Sequence, residues 1–355
     1  MRVDPEKVRK VLVIKLRAVG DVVLSTLVLP NLRAALPASC IDFLTEKPSV
    51  DVLRGHPAVN RTLVYDRQTM SGLALIRMVR REKYDLVIDL FGNPRTALVT
   101  RLSGARDRVG YRFRGRSYAY TMVVTPRGGE VHNSQFNLDA IEHIGVPIVD
   151  RELRFFRGKD DEAYVQQFLA GAHLDRAVLV GVNAGGGWYT KRWHLKQFAL
   201  LADRIHERFG WTTVLPWGPG QHDEVETIAR HMRSTPLIPP ATTLPQLAAL
   251  LARCAFIVSN DSGPMHIGAA VHTPVLGIFG PTRPELQGPY GEYHHTIRKD
   301  SLECLGCNLT SCPIGNPCMN DLSVEEVFDA FQQLVSANPG RLKIHEQLSH
   351  THPGV

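Results

Sequence analysis

Short apolar runs, each leading through a polar loop into a helix, recur along this chain in two series. That alternation leaves little choice of fold. Lys10–Leu16, Ile41–Leu44, Arg61–Tyr65, Asp85–Leu90 and Val109–Tyr111 read as strands, separated by helical patterns at Val22–Leu36, Val50–Gly55, Leu73–Glu82 and Asn93–Ser103. Around 130–175 the pattern changes: His132–Ile144 and Ala163–Ala172 are helical and Leu153–Phe155 is extended. Strand–helix alternation then restarts with strands at Ala177–Val182, Thr212–Pro216, Phe256–Ser259 and Val275–Phe279, and helices at Leu195–Phe209, Asp223–Met232, Leu244–Cys254 and Val324–Val335. Strands alternating with helices predict parallel sheets covered on both faces. The reading is an α/β protein of two doubly wound halves: a first domain over 1–175, a second over 176–335, and a polar tail over 336–355.

Length agrees, since 355 residues suggest two domains, at about 100–200 residues per domain. The net charge of +6 indicates a mild affinity for acidic partners such as nucleic acid, anionic lipid or phosphorylated sugars. No apolar run is long enough to span a bilayer, and Val11–Ile14 is cut short by Lys15 and Arg17, unlike a secretory signal. A cytoplasmic protein is expected, with its six cysteines reduced or metal-bound.

In doubly wound sheets ligands bind at the carboxyl ends of strands, so the loops there carry the functional argument. Asn260-Asp261-Ser262-Gly263-Pro264-Met265-His266 joins a buried strand to a helix of small residues. Ser262 or Asp261 suits the N-cap, Pro264 suits the first turn, and Gly263 lets backbone approach a ligand. Such a helix start offers free N–H groups to a phosphate or diphosphate; the other reading is an ordinary helix cap. In Asn183–Trp193, three glycines precede Thr190, Lys191 and Arg192, a hydroxyl and two cations suited to a diphosphate gaining charge; the other reading is a flexible surface loop. Lys15–Asp21 lacks the G-x-G-x-x-G spacing of a dinucleotide site, and no Walker-type P-loop is present. After Gly20, Asp21 is either a general base or a helix-start acid favoured by the dipole. In the Pro216–Glu224 stretch, Asp223 or Glu224 can hold a ribose or a base edge, or simply start a helix. The basic run Arg101, Arg106, Arg108, Arg112, Arg114 and Arg116 reads as a solvated face or as docking for an acidic acceptor. No RNA-binding signature accompanies it, so nucleic acid is not the expected partner. Cys304, Cys307, Cys312 and Cys318 form a candidate structural site for zinc or an iron–sulfur cluster, with unligated structural thiols as the alternative.

Taken together these segments resemble glycosyltransferase family 9, the ADP-heptose:lipopolysaccharide heptosyltransferases. The resemblance is carried by Lys15…Gly20-Asp21, by Asp85–Leu90 with Asn93-Pro94-Arg95, and by His132–Gly145. It continues through Lys191-Arg192-Trp193, Asn260–His266, Phe279-Gly280-Pro281-Thr282 and the late cysteine run, spanning about 10–335. It implies the GT-B fold, two Rossmann-like domains facing across a cleft, with acceptor bound by the first domain and nucleotide sugar by the second. The last helix, Val324–Val335, would return to the first domain.

By resemblance, the reaction is inverting transfer of heptose from ADP-heptose to a lipopolysaccharide inner-core acceptor, with no cofactor required for catalysis. Asp21 matches the base and Lys191 the cation that neutralises the departing diphosphate. Gly20, Thr190, Arg192, Asp223, Glu224, Asp261, Ser262, Gly263 and His266 form the donor-binding set. The acceptor would be a phosphorylated acidic glycolipid, met in peripheral contact at the cytosolic face of the inner membrane. The alternatives are another GT-B nucleotide-sugar enzyme, such as an epimerase, and an inactive nucleotide-sugar-binding module.

Overall fold

Strands that are apolar on both faces need helices on both sides, and each half of the chain supplies them. A computed structural model describes residues 3–342. The chain divides between Phe156 and Arg157 into two units. The reading above placed this boundary at 175/176.

The first unit runs β1 (Lys10–Ile14), α1 (Val19–Ser25), α2 (Val28–Ala35), β2 (Cys40–Glu46), β3 (Arg61–Tyr65) and α3 (Gly72–Arg81). It continues with β4 (Leu86–Asp89), α4 (Pro94–Leu102), β5 (Asp107–Tyr111), β6 (Met122–Val124) and α5 (Asn133–His143). Its six strands are all parallel, in the order β3-β2-β1-β4-β5-β6. Central β1 pairs Val11 with Ile41 on one side and with Leu86 on the other, and Val11–Ile14 are fully buried.

The second unit begins with α6 (Lys159–Gly171), which packs against a later helix of the same unit, Leu244–Arg253. It continues β7 (Leu179–Asn183), α7 (Leu195–Phe209), β8 (Thr212–Val214), α8 (His222–His231), α9 (Leu244–Arg253), β9 (Phe256–Asn260), α10 (Gly263–Ala270) and β10 (Val275–Ile278). It ends with α11 (Pro284–Gln287), β11 (His295–Ile297), α12 (Pro317–Asn320) and α13 (Val324–Ala337). The sheet order is β11-β10-β9-β7-β8, all parallel. Beyond β8, Leu237 adds a single parallel bridge to Val214. Counting that bridge as a vestigial strand, both sheets have the 3-2-1-4-5-6 order of a dinucleotide-binding fold. In each, the direction of winding reverses at one point: between β1 and β4, and between β7 and β9.

Several elements differ from expectation. The helix expected over Val22–Leu36 is two helices, α1 and α2. Pro30 has no N–H to give the Thr26 carbonyl, and the Ser25 and Thr26 hydroxyls bond back to Val22 and Val23, so the ladder breaks there. The helix near Val50–Gly55 is a tighter 3₁₀ segment, Lys47–Leu53. The last helix, α13, packs within the second unit, where Val327, Phe331 and Leu334 join the core of Val180, Phe256 and Leu276. The tail expected over 336–355 begins inside α13, and residues 343–355 lie outside the described residues.

Candidate functional site

The winding reversal is where a doubly wound sheet leaves a crevice, because neighbouring loops depart toward opposite faces. In the first unit this point lies between the loops after β1 and β4. Lys15, opening the first loop, reaches the Leu90 carbonyl of the second at 3.3 Å. Asp89 closes β4, fully buried. One oxygen accepts the Phe91 and Gly92 amides, and the other accepts the Tyr120 hydroxyl at 2.8 Å. Burial pushes this carboxyl up from its usual range, against the pull of those bonds. Gly110 is needed here, since a methyl on it would overlap the Tyr120 ring. The fixed turn lets Asn93 cap α4, accepting the Thr96 amide at 2.8 Å.

Gly20 and Asp21 lie in the first turn of α1. Asp21 Oδ2 accepts the Ala18 amide at 3.1 Å, as a helix-start acid does, while Oδ1 makes no hydrogen bond among the described residues. The basic run does not form one face. Arg106 pairs with Asp107 and Arg108 bonds the Ala105 and Ala119 carbonyls, at the amino end of β5. Arg112, Arg114 and Arg116 follow its carboxyl end, where Arg116 donates to the Gly92 carbonyl at 2.7 Å.

In the second unit, the loops after β7, β8 and β9 and the helices they lead into carry most of the expected donor residues. Asp261, 6 % exposed, is the hub. Its Oδ2 accepts the Thr282 hydroxyl at 2.6 Å and forms an ion pair with Lys191 Nζ at 2.7 Å. The Lys191 ammonium also lies 4.5 Å from the centre of the Trp188 ring. Asn183, ending β7, donates to both Ser259 and Ser262, each at 2.9 Å. Ser262 is the N-cap residue of α10, yet its side chain makes no capping bond to the helix. The start of α10, where Gly263 is the first residue, is thus left without a side-chain cap, as an anion-binding end requires. Asn260 accepts the Trp193 amide and donates to the Ala184 carbonyl, stitching the β7 and β9 loops together. His266 lies buried on α10.

Other expected residues take different parts. The Thr190 hydroxyl donates to the Leu309 carbonyl at 2.8 Å, so it ties the loop to the segment behind it. Arg192 donates to the Gly186 carbonyl and pairs with Glu224 Oε1 at 2.5 Å. Glu224 Oε2 is buried without a hydrogen-bond partner among the described residues, whereas Asp223 is exposed. Trp193 is core: it is 1 % exposed, and its indole donates to the Leu322 carbonyl at 2.9 Å. Asn183, Asn260 and Thr282 were not singled out as site residues. Their signal was present, as amides at two strand ends and a threonine in the Phe279–Thr282 loop, but their partners are distant in sequence.

No three of the four cysteine sulfurs lie within 4.8 Å of one another. Among the described residues, the one set of three ligand-type side chains within 4.8 Å is His222, Asp223 and Glu226. Cys304 and Cys307 are exposed on a loop, while Cys318 is buried in α12 against Gly280. Burial, with the neighbouring Cys304, Cys307 and Cys312, pushes the Cys318 thiol up to about 11. The loop has a structural part to play: Gly306 and Asn308 amides bond the Gly280 and Pro281 carbonyls, behind Thr282.

A family model for glycosyltransferase family 9 (heptosyltransferase) matches residues 72–316. Lipopolysaccharide heptosyltransferase 1 of Pseudomonas aeruginosa is 29% identical over 328 residues, covering 85% of this chain and 87% of that protein. A solved family 9 glycosyltransferase from Veillonella parvula superposes with a TM-score of 0.82 at 26% identity, over 92% of this chain and 97% of that one. The E. coli ADP-heptose lps heptosyltransferase II superposes with a TM-score of 0.74 at 22% identity, over 93% of this chain and 99% of that one. Two doubly wound parallel units of this kind are the GT-B fold class. With the family model covering most of the chain and the expected loops at the carboxyl ends of both sheets, the chain belongs to glycosyltransferase family 9.

Proposed function

We propose that this protein is an inverting heptosyltransferase that moves heptose from ADP-heptose to an inner-core lipopolysaccharide acceptor. The observation that carries the reading is the Lys191–Asp261 pair, held beside an uncapped helix start at the winding reversal of the second unit. Family membership and relatives described as lipopolysaccharide heptosyltransferases support it.

The second unit takes the donor. The α10 start and Lys191 face the diphosphate, with Ser262, Gly263 and His266 around it. Glu224, steered by Arg192, grips the nucleoside in preference to exposed Asp223. Thr190 acts through its loop. The first unit takes the acceptor, a phosphorylated acidic glycolipid, with Arg112, Arg114 and Arg116 as docking cations.

Asp21 Oδ1 accepts the acceptor hydroxyl proton as that oxygen attacks the anomeric carbon. The bond from that carbon to the ADP oxygen breaks on the opposite face, inverting the centre. ADP leaves with its new charge neutralised by Lys191. The transition state has oxocarbenium character, as in inverting glycosidases. No step needs a metal. No three of the sulfurs lie within 4.8 Å of one another, so Cys304, Cys307, Cys312 and Cys318 are read as structural thiols. The working place is the cytoplasmic face of the inner membrane, in peripheral contact; among the described residues no helix is long and apolar enough to cross a membrane.

The test is acceptor-dependent release of ADP from ADP-heptose. Asp21→Asn should lower kcat by about 10²–10⁴-fold, with ADP affinity unchanged. Release at equal rates with and without acceptor, or full activity in Asp21→Asn, would remove the proposal.

A further inference from the structure

Thr282 follows β10 in the Phe279-Gly280-Pro281-Thr282 loop and is 2 % exposed. Its hydroxyl has one proton, and gives it to Asp261 Oδ2 at 2.6 Å. Lys191 Nζ pairs with the same oxygen at 2.7 Å. The Thr282 bond pins that oxygen, and with it the point on which the lysine charge rests. The ring of Trp188 limits the ammonium from another side. An ammonium carries three protons, so a lysine paired with Asp261 still has protons to offer a ligand.

We infer that Thr282 is a positioning residue for the leaving group: it orients Asp261 so that Lys191 presents its remaining protons to the diphosphate. The loop that carries Thr282 is held in turn, because the Pro281 carbonyl accepts the Asn308 amide at 2.6 Å and the Gly280 carbonyl accepts the Gly306 amide at 3.4 Å. Without the hydroxyl, Asp261 rotates on Lys191 alone, and the lysine follows it. The inference rests on the donor-site reading given above.

The probe is ADP, titrated calorimetrically into wild type, Thr282→Val, Thr282→Ser, Lys191→Met and the Thr282→Val/Lys191→Met double variant, with kcat and KM measured alongside. Valine keeps the shape of threonine and removes the hydroxyl; serine keeps the hydroxyl and removes the methyl. Thr282→Val should weaken ADP binding and lower kcat about tenfold each, as expected for a lost hydrogen bond to a charged group. Thr282→Ser should stay within about twofold of wild type, and the double variant should be no worse than Lys191→Met, because Thr282 acts through the lysine. Where the valine variant does not fold, Thr282→Ala carries the comparison. Equal loss in Thr282→Val and Thr282→Ser, or multiplying effects in the double variant, would overturn the inference alone. Wild-type ADP affinity in Lys191→Met would overturn the donor-site reading, and the inference with it.

Discussion

Trp193→Phe should destabilise the second unit by about 3–5 kcal/mol. The indole is 1 % exposed, donates to the Leu322 carbonyl at 2.9 Å, and meets Phe198 edge-on with ring centres 5.0 Å apart. Phenylalanine keeps the backbone bond from the Trp193 amide to Asn260 but leaves the Leu322 carbonyl without its donor, at about 1–3 kcal/mol. The two lost ring carbons add about 1.6 kcal/mol, at roughly 0.8 kcal/mol per buried carbon. All four tryptophans, Trp188, Trp193, Trp211 and Trp217, lie in the second unit, so tryptophan emission follows that unit alone. In urea, the emission midpoint should fall with little change in slope. On heating, the transition should move down by about 2–4 °C per kcal/mol for a unit of this size. Tyr189→Phe, at a side chain 75 % exposed, is the control and should stay within about 0.5 kcal/mol of wild type. A Trp193→Phe effect no larger than that control would refute the reasoning, because the Leu322 bond would then contribute nothing.

Two further predictions concern acid stability and nucleoside recognition. His56 and His294 are both held at about 4, chiefly by burial, against a usual 6.5. Between those values the unfolded chain binds the proton and the folded chain does not. Stability should therefore fall as pH drops below 6.5, at about 1.4 kcal/mol per pH unit for each histidine, and level off near 4. His56→Gln should flatten the acid slope of the first unit in chemical denaturation; an unchanged slope would contradict this. Glu224→Gln should weaken ADP binding about tenfold, by loss of a charged hydrogen bond, while Asp223→Asn leaves it unchanged. The reverse ranking in calorimetry would move the nucleoside contact to Asp223.

The sequence showed the framework because parallel sheets bury strands on both faces, which makes them continuous apolar runs such as Val11–Ile14 and Phe256–Val258. It also placed Asp21, Lys191 and Asp261 after strands, where ligand loops must lie. The three-residue edge strands β6 and β11 and the single bridge at Leu237 were not legible, being too short to show a pattern. Nor was the break at Thr26, although Pro30 signalled it. The site's internal wiring was hidden for another reason. Asn183 meets Ser262, Thr190 meets Leu309 and Trp193 meets Leu322 only after the sheet has formed. Those contacts split the Lys191-Arg192-Trp193 motif into three jobs: a cation on Asp261, a brace on Glu224 and a buried anchor.

The donor assignment is the centre of the account, and calorimetry with ADP-heptose, ADP-glucose, UDP-glucose, GDP-mannose and NAD tests it most directly. Wild-type protein should bind ADP-heptose in preference to the others, and Lys191→Met should weaken that binding by about 10–100-fold, the worth of a charge-assisted hydrogen bond. Preference for a UDP- or GDP-sugar, or equal ADP-heptose binding by wild type and Lys191→Met, would contradict it.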